Sequence, residues 1–231
     1  MHFHMNHVAD KYTTQETNLL NNCFSLLYEL LTKPVTKNSV FDSDYIKQEK
    51  TNLINKIESR VNDKMHYALI RCLEEMCKGE PYSVYEYGSK DTVVPLETKL
   101  LFDHYKNVLE KNPVYVFLSG HIQDKEVQKI IDVFSKIKRG KTTSINDSKL
   151  EKTPCKPKKV QEEMDVNQGK LSLGFRTNIY PNDNLYYPLA VCNGILGGGI
   201  HSKLFQNVRE KESLAYYAFS RLEKLKGLMV I

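Results

Sequence analysis

The densest chemical potential in the chain lies between Leu196 and Tyr217. This stretch reads Leu196-Gly197-Gly198-Gly199-Ile200-His201-Ser202-Lys203-Leu204-Phe205-Gln206-Asn207-Val208-Arg209-Glu210-Lys211, then Glu212-Ser213-Leu214-Ala215-Tyr216-Tyr217. Consecutive glycines at 197, 198 and 199 let another backbone come close, and Ser202 can cap a helix that turns Leu204, Phe205 and Val208 inward. Arg209 is then left on or near another face. On residue types alone this is a glycine turn feeding an amphipathic helix. A phosphate loop is excluded, because Gly194 and Gly199 have the right separation but Ile200-His201 stand where that loop needs Lys and Ser or Thr. A dinucleotide fingerprint fails too, since the glycines follow a helix-like segment and Ser202 occupies the third glycine position.

Other reactive residue types read more simply. His2, His4 and His7 share one face of an extended segment, a pattern that suits a surface strand better than a metal site. Lys136, Lys138, Arg139 and Lys141 lack the aromatic platform that single-stranded nucleic acid needs, so they are read as part of a solvated linker and no nucleic-acid partner is expected. The cysteines, Cys23, Cys72, Cys77, Cys155 and Cys192, form no Cys-x-x-Cys pair, which fits reduced thiols in a cytoplasmic protein.

The composition, 41% hydrophobic and 26% charged, supports a buried core. No apolar run reaches the ~20 residues of a membrane-spanning helix, and the start of the chain lacks the basic and apolar blocks of a signal peptide. The net charge of +5 has much of its excess between Lys136 and Lys159, so it says little about a binding face.

The elements that must position these residues follow from periodicity. Leu19, Leu20, Phe24, Leu27, Leu30 and Leu31 predict a helix from Thr17 to Thr32, stopped at Lys33-Pro34. Asp42-Ser43-Asp44 caps a helix carrying Ile46, Leu53, Ile54 and Ile57, and Asn62-Asp63 opens another that runs to Lys78-Gly79. Further helices are expected from Leu96 to about Leu109, from Asp124 to Ile137 and from Tyr187 to Leu196. Val114 to Leu118 reads as a buried strand, and Lys170 to Phe175, Leu214 to Ser220 and Gly227 to Ile231 as strands. Phe3, Met5 and Val8 alternate like an internal strand. A composition rich in Lys, Ser, Thr and Pro between Arg139 and Lys159 marks a domain boundary.

At the glycine segment the resemblance becomes specific. Leu-Gly-Gly-Gly, Ser-Lys-Leu-Phe, Val-Arg-Glu-Lys and Leu-Ala-Tyr-Tyr resemble the second-half motif of the insulinase-like (pitrilysin-type) metallopeptidases. In that family an Arg and a Tyr seven positions apart bind the substrate near the scissile peptide, and the resemblance carries this role to Arg209 and Tyr216. A guanidinium and a phenol can both donate to a peptide carbonyl and to the oxyanion that develops on attack. The family's inverted zinc motif, His-x-x-Glu-His, is absent from the sequence. The run from Glu49 to Ile57 resembles the family's downstream helix, and Lys56 stands at about the position of its zinc-binding Glu. An ammonium cannot ligate zinc. Tyr45 to Lys50, Asn62-Asp63-Lys64, Tyr67-Ala68, Gly79-Glu80-Pro81-Tyr82-Ser83 and Gly169 to Thr177 resemble the zinc-free bacterial branch known as YfmF, whose label associates it with elongation factor P modification.

The resemblance implies an α+β fold of two-layer, sheet-and-helix half-domains of the insulinase and mitochondrial processing peptidase type, truncated at one or both ends. Residues 1–138 would be the later part of one half-domain, 139–160 a linker, and 161–231 the start of the second, inactive-type half-domain. The expected function is that of a non-catalytic homologue, inactive alone, with no cofactor of its own. It would pair as a heterodimer with a zinc-bearing homologue, the zinc residing in that partner, and hold a peptide substrate through Arg209 and Tyr216 beside the glycine loop of Gly197, Gly198 and Gly199. Self-association is the other expected assembly, and no membrane partner is expected. The alternative function is a scaffold, for example in elongation factor P modification, without a direct role in proteolysis.

Overall fold

The computed structural model describes residues 2–13, 18–120, 122–144 and 156–231. Thr17, His121 and Cys155 lie outside the described residues, as do residues 145–155 of the segment read as a linker. In chain order the main elements are α1 (Leu19–Thr32), β1 (Thr36–Lys37), β2 (Val40–Phe41), α2 (Ser43–Ser59), α3 (Lys64–Met76), α4 (Lys90–Val93), α5 (Thr98–Lys111), α6 (Asp124–Ser135), β3 (Gly174–Arg176), α7 (Tyr186–Gly197), a π-helix (Phe205–Lys211), β4 (Arg221–Glu223) and β5 (Leu228–Val230). They form two compact units, one built from residues 1–52 and 91–146 and the other from 53–90 and 147–231, with the division falling inside α2.

In the first unit the apolar stripe of α1 meets that of α6. Leu20 and Phe24 are buried with Ile130, and Leu27, Leu118 and Phe134 close around them. Phe24 meets Phe134 edge to face with ring centroids 5.9 Å apart, a geometry favoured by the ring quadrupoles. The N-terminus of α6 is fixed by a capping box in which Gln123 and Glu126 satisfy each other's backbone N–H groups. A second aromatic knot forms where Phe41 of β2 packs edge-on against Phe102 of α5 at 5.1 Å.

One expectation fails here. Val114 to Leu118 is not a buried strand: it forms no ladder among the described residues, and Phe117 is 90% exposed. Its β-branched and aromatic residues suit a pleated surface, but strand propensity is expressed only through cross-strand partners. The same reason applies to 3–8 and to 214–220, which likewise carry no ladder.

The second unit is built on α3. Asp63 caps it by accepting from His66 N at 3.0 Å, and its inner face places Leu69, Leu73 and the following Cys77 against Leu228 and Val230 of β5. Those strand residues belong to an antiparallel sheet of order β3-β5-β4, in which Met229 pairs with Phe175 on one side and Leu222 on the other. Leu173 and Ile231 continue the β3–β5 ladder with reciprocal 2.9 Å bonds. β3 lies so close to α3 that a Cβ at Gly174 would sit 2.6 Å from Met76 Sδ. At the edge of this core Arg176 donates to Glu80 and to Met76 O, and the Arg176 and Glu80 side chains are each only 6% exposed. Burial raises the Cys77 thiol's pKa, with the Glu80 carboxylate adding to it.

Candidate active-site remnant and peptide-binding segment

The glycine segment is a seat for a backbone. Gly197 ends α7, and its carbonyl accepts from Ser220 N at 3.0 Å, while the Ser220 hydroxyl donates to Asn193 O at 3.2 Å. A Cβ on Gly197 would fall 2.2 Å from Ser220 N and 2.8 Å from Phe219 C, so only glycine fits. The three glycines are not equivalent. A Cβ at Gly198 would press on Gly194 Cα at 2.7 Å, whereas one at Gly199 meets open space. The close approach expected of all three therefore belongs chiefly to Gly197, and Ser220, which makes it, has no signal of its own in the sequence.

After the turn, Ser202 is buried and its hydroxyl faces Phe205 N at 3.4 Å. Leu204, Phe205 and Val208 are the partly covered positions of the following helix, as their spacing predicts. The helix is wound as a π-helix, however, with Glu212 N donating to Asn207 O at 3.0 Å. Such turns are rare and shift side chains relative to an α-helix. The helix ends where Ser213 takes a left-handed φ of 50° and Leu214 N returns to Val208 O at 3.0 Å, satisfying a terminal carbonyl.

Arg209 lies on this π-helix with its guanidinium 4.6 Å from the centre of the Phe205 ring and its Nε 3.6 Å from Glu210 Oε1. That contact is exposed on both sides and binds the guanidinium weakly. Tyr216 follows the helix and is 76% exposed. Neither side chain hydrogen-bonds to the other among the described residues, and both keep donors open to solvent. Tyr217 beside it is less exposed, with its ring 6.1 Å from Phe219 and the Lys170 ammonium 5.5 Å above it.

Lys56 stands near the end of α2 with its Nζ donating to the Tyr87 hydroxyl at 2.6 Å and lying 3.9 Å from that ring's centre. The bond to Tyr87 raises its pKa, so it is a cation with three N–H donors and no lone pair for a metal. Among the described residues no group of three or more His, Cys, Asp and Glu side chains could hold a metal ion. The cysteines among them, Cys23, Cys72, Cys77 and Cys192, are free thiols, and none of their helices is long and apolar enough to cross a membrane.

A small antiparallel sheet packed on α3 and a glycine-seated turn after α7 make up an α+β half-domain. Residues 96–231 match the family described as "Peptidase M16 inactive domain", and the chain belongs to that family. It is 39% identical over 222 residues to "Probable inactive metalloprotease YmfF" of Bacillus subtilis, covering 96% of this chain and 52% of that protein. It is 27% identical over 187 residues to "Uncharacterized zinc protease YmxG" of the same organism, covering 79% and 43%. Among solved structures, a conserved protein from Enterococcus faecalis superposes with a TM-score of 0.79 at 31% identity, over 96% of this chain and 52% of that one. A peptidase M16 inactive domain from Pseudomonas fluorescens shares the fold with a TM-score of 0.67 at 20% identity, over 90% and 49%. The chain thus spans about half the length of these relatives.

Proposed function

We propose that this chain acts as a non-catalytic peptidase homologue in the cytoplasm, pairing with a zinc-bearing homologue and supplying Arg209 and Tyr216 to hold the peptide being cut. Residues 1–138 would be the later part of one half-domain, 139–160 the linker and 161–231 the start of the second. The observation that carries this reading is that Arg209 and Tyr216 both stand exposed on the segment between Gly197 and Ser220, whose backbones meet at its two ends. A segment closed at its ends that leaves its donors free is what holding a peptide carbonyl requires. Lys56 in place of a ligand agrees with it, as does likeness to a protein named as an inactive metalloprotease.

In such a pair the partner's zinc would activate water and polarise the scissile carbonyl. Arg209 and Tyr216 would donate to the same or a neighbouring carbonyl, orienting the peptide and stabilising negative charge on its oxygen. The experiment is to mix the chain with a homologue that carries His-x-x-Glu-His and follow peptide cleavage. Cleavage that appears only in the mixture supports the pairing. Cleavage by the homologue alone, unchanged on mixing, favours a scaffold role.

A further inference from the structure

Away from Arg209 and Tyr216, the outward face of α3 holds a carboxylate in a constructed setting. Glu162 Oε1 lies 2.7 Å from Arg71 Nε and 2.6 Å from Nη2, and Oε2 accepts from the Tyr67 hydroxyl at 2.9 Å. Arg71 is itself aimed by Glu74 at 2.5 Å and Glu75 at 3.1 Å. Arg60 donates to Glu74 at 2.9 Å and lies 5.4 Å from the centre of the Tyr67 ring, which fixes the phenol from behind. Four residues before Glu162, Lys158 pairs with Glu75. A guanidinium and a phenol converging on both oxygens of one carboxylate, backed by two further charge pairs, form a recognition geometry.

The segment that fills this face is held in an unusual way. Residues 156–165 are exposed throughout, and among the described residues no main-chain hydrogen bond joins 158–162 to α3. The polar contacts that join it to α3 are those of the Lys158 and Glu162 side chains, contacts that another peptide of the same chemistry could supply. We propose that the Arg71–Tyr67 face of α3 is a docking site for an extended peptide bearing a Glu with a Lys four positions earlier, and that residues 158–162 occupy it as an internal pseudo-ligand. A partner segment would bind by displacing this strap, and the strap sets the threshold for docking. This face uses none of the groups assigned to peptide holding, so it stands or falls separately from that reading.

The probe is a fluorescein-labelled peptide with the sequence of residues 156–166, added to the full chain and followed by anisotropy. Binding to the parent is expected to be weak, because only the fraction with an open site competes for it. Glu162→Ala removes the internal competitor at an exposed position, and the peptide should then bind about tenfold tighter or more, with affinity that falls as salt rises. Adding Tyr67→Phe to that variant should lower the affinity several-fold while the melting curve stays that of Glu162→Ala. A peptide carrying E162A should lose the gain. Equal affinity for parent and Glu162→Ala, or undiminished binding of the peptide lacking the carboxylate, overturns the proposal. If Glu162→Ala does not fold, Glu162→Gln, which keeps the side chain's shape, is read by the same criteria.

Discussion

Arg209 and Tyr216 differ in what their loss removes. Tyr216→Phe deletes one hydroxyl and leaves the ring, whereas Arg209→Ala also strips an alkyl stem and the stack on Phe205. In the assembled pair each should lower turnover by about 10²–10³, the usual scale for losing one oxyanion donor. Because both side chains are exposed, neither variant should melt differently from the parent, and steady-state kinetics beside thermal melts checks both halves of this expectation. Arg176 and Glu80 behave in the opposite way. They are buried against each other, so Glu80→Ala strands a guanidinium in the core and should cost about 3–5 kcal/mol in a denaturant melt, without touching Arg209 or Tyr216. These two pairs show what a sequence displays and what it hides. The Arg-x₆-Tyr spacing was legible beside a recognisable motif, while Arg176–Glu80 joins residues far apart in the chain and had no local signal.

At the scale of elements, the glycine segment divides into a position that must be glycine and one that need not be. Gly197→Ala drives a methyl into the backbone at Ser220 and should destabilise by about 1–3 kcal/mol or more. Gly199→Ala points into open space and should stay within about 0.5 kcal/mol. Chemical denaturation of the two variants side by side reads the difference. The strap on α3 makes a pH prediction. The hydrogen bonds from Arg71 and then Tyr67 hold Glu162 below the usual carboxylate range, and Lys158 does the same to Glu75, with Arg60 and Glu74 completing the charges around them. A depressed folded-state pKa means the contact contributes fully above the ordinary value of ~4.3 and is lost as pH falls through the lowered one. Carbon-13 titration of the Glu162 carboxyl should show a midpoint below that ordinary value, and a midpoint at or above it contradicts the contact. Helices were the readable part of the fold: α1, α2, α3, α5, α6 and α7 follow apolar periodicity and the Asp42, Asp63 and Pro34 signals. The π-winding at 205–211 was not readable, because Leu204, Phe205 and Val208 satisfy either helix at that length. Val114 to Leu118 has strand composition without forming a ladder among the described residues, because a short apolar run carries a preference for pairing but no information on whether a partner strand is present.

For the molecule as a whole, the family defines the fold, and the proposed loss of catalysis turns on Lys56. Lys56 offers an ammonium bound to the Tyr87 phenol at about the position where the resemblance puts a zinc-binding Glu, and the proposal that zinc chemistry resides in a partner draws on this. The purified chain, dialysed and analysed for metals, should hold far less than one zinc per chain, and chelator-sensitive cleavage by the chain alone would contradict that. The proposed pairing is tested most directly by titrating the chain into a homologue that carries His-x-x-Glu-His and measuring initial rates of peptide cleavage. The rate should rise and saturate at one chain per homologue, and should rise far less with the Tyr216→Phe variant although the same complex forms. A rate independent of added chain, or the same rate with parent and Tyr216→Phe, would contradict it.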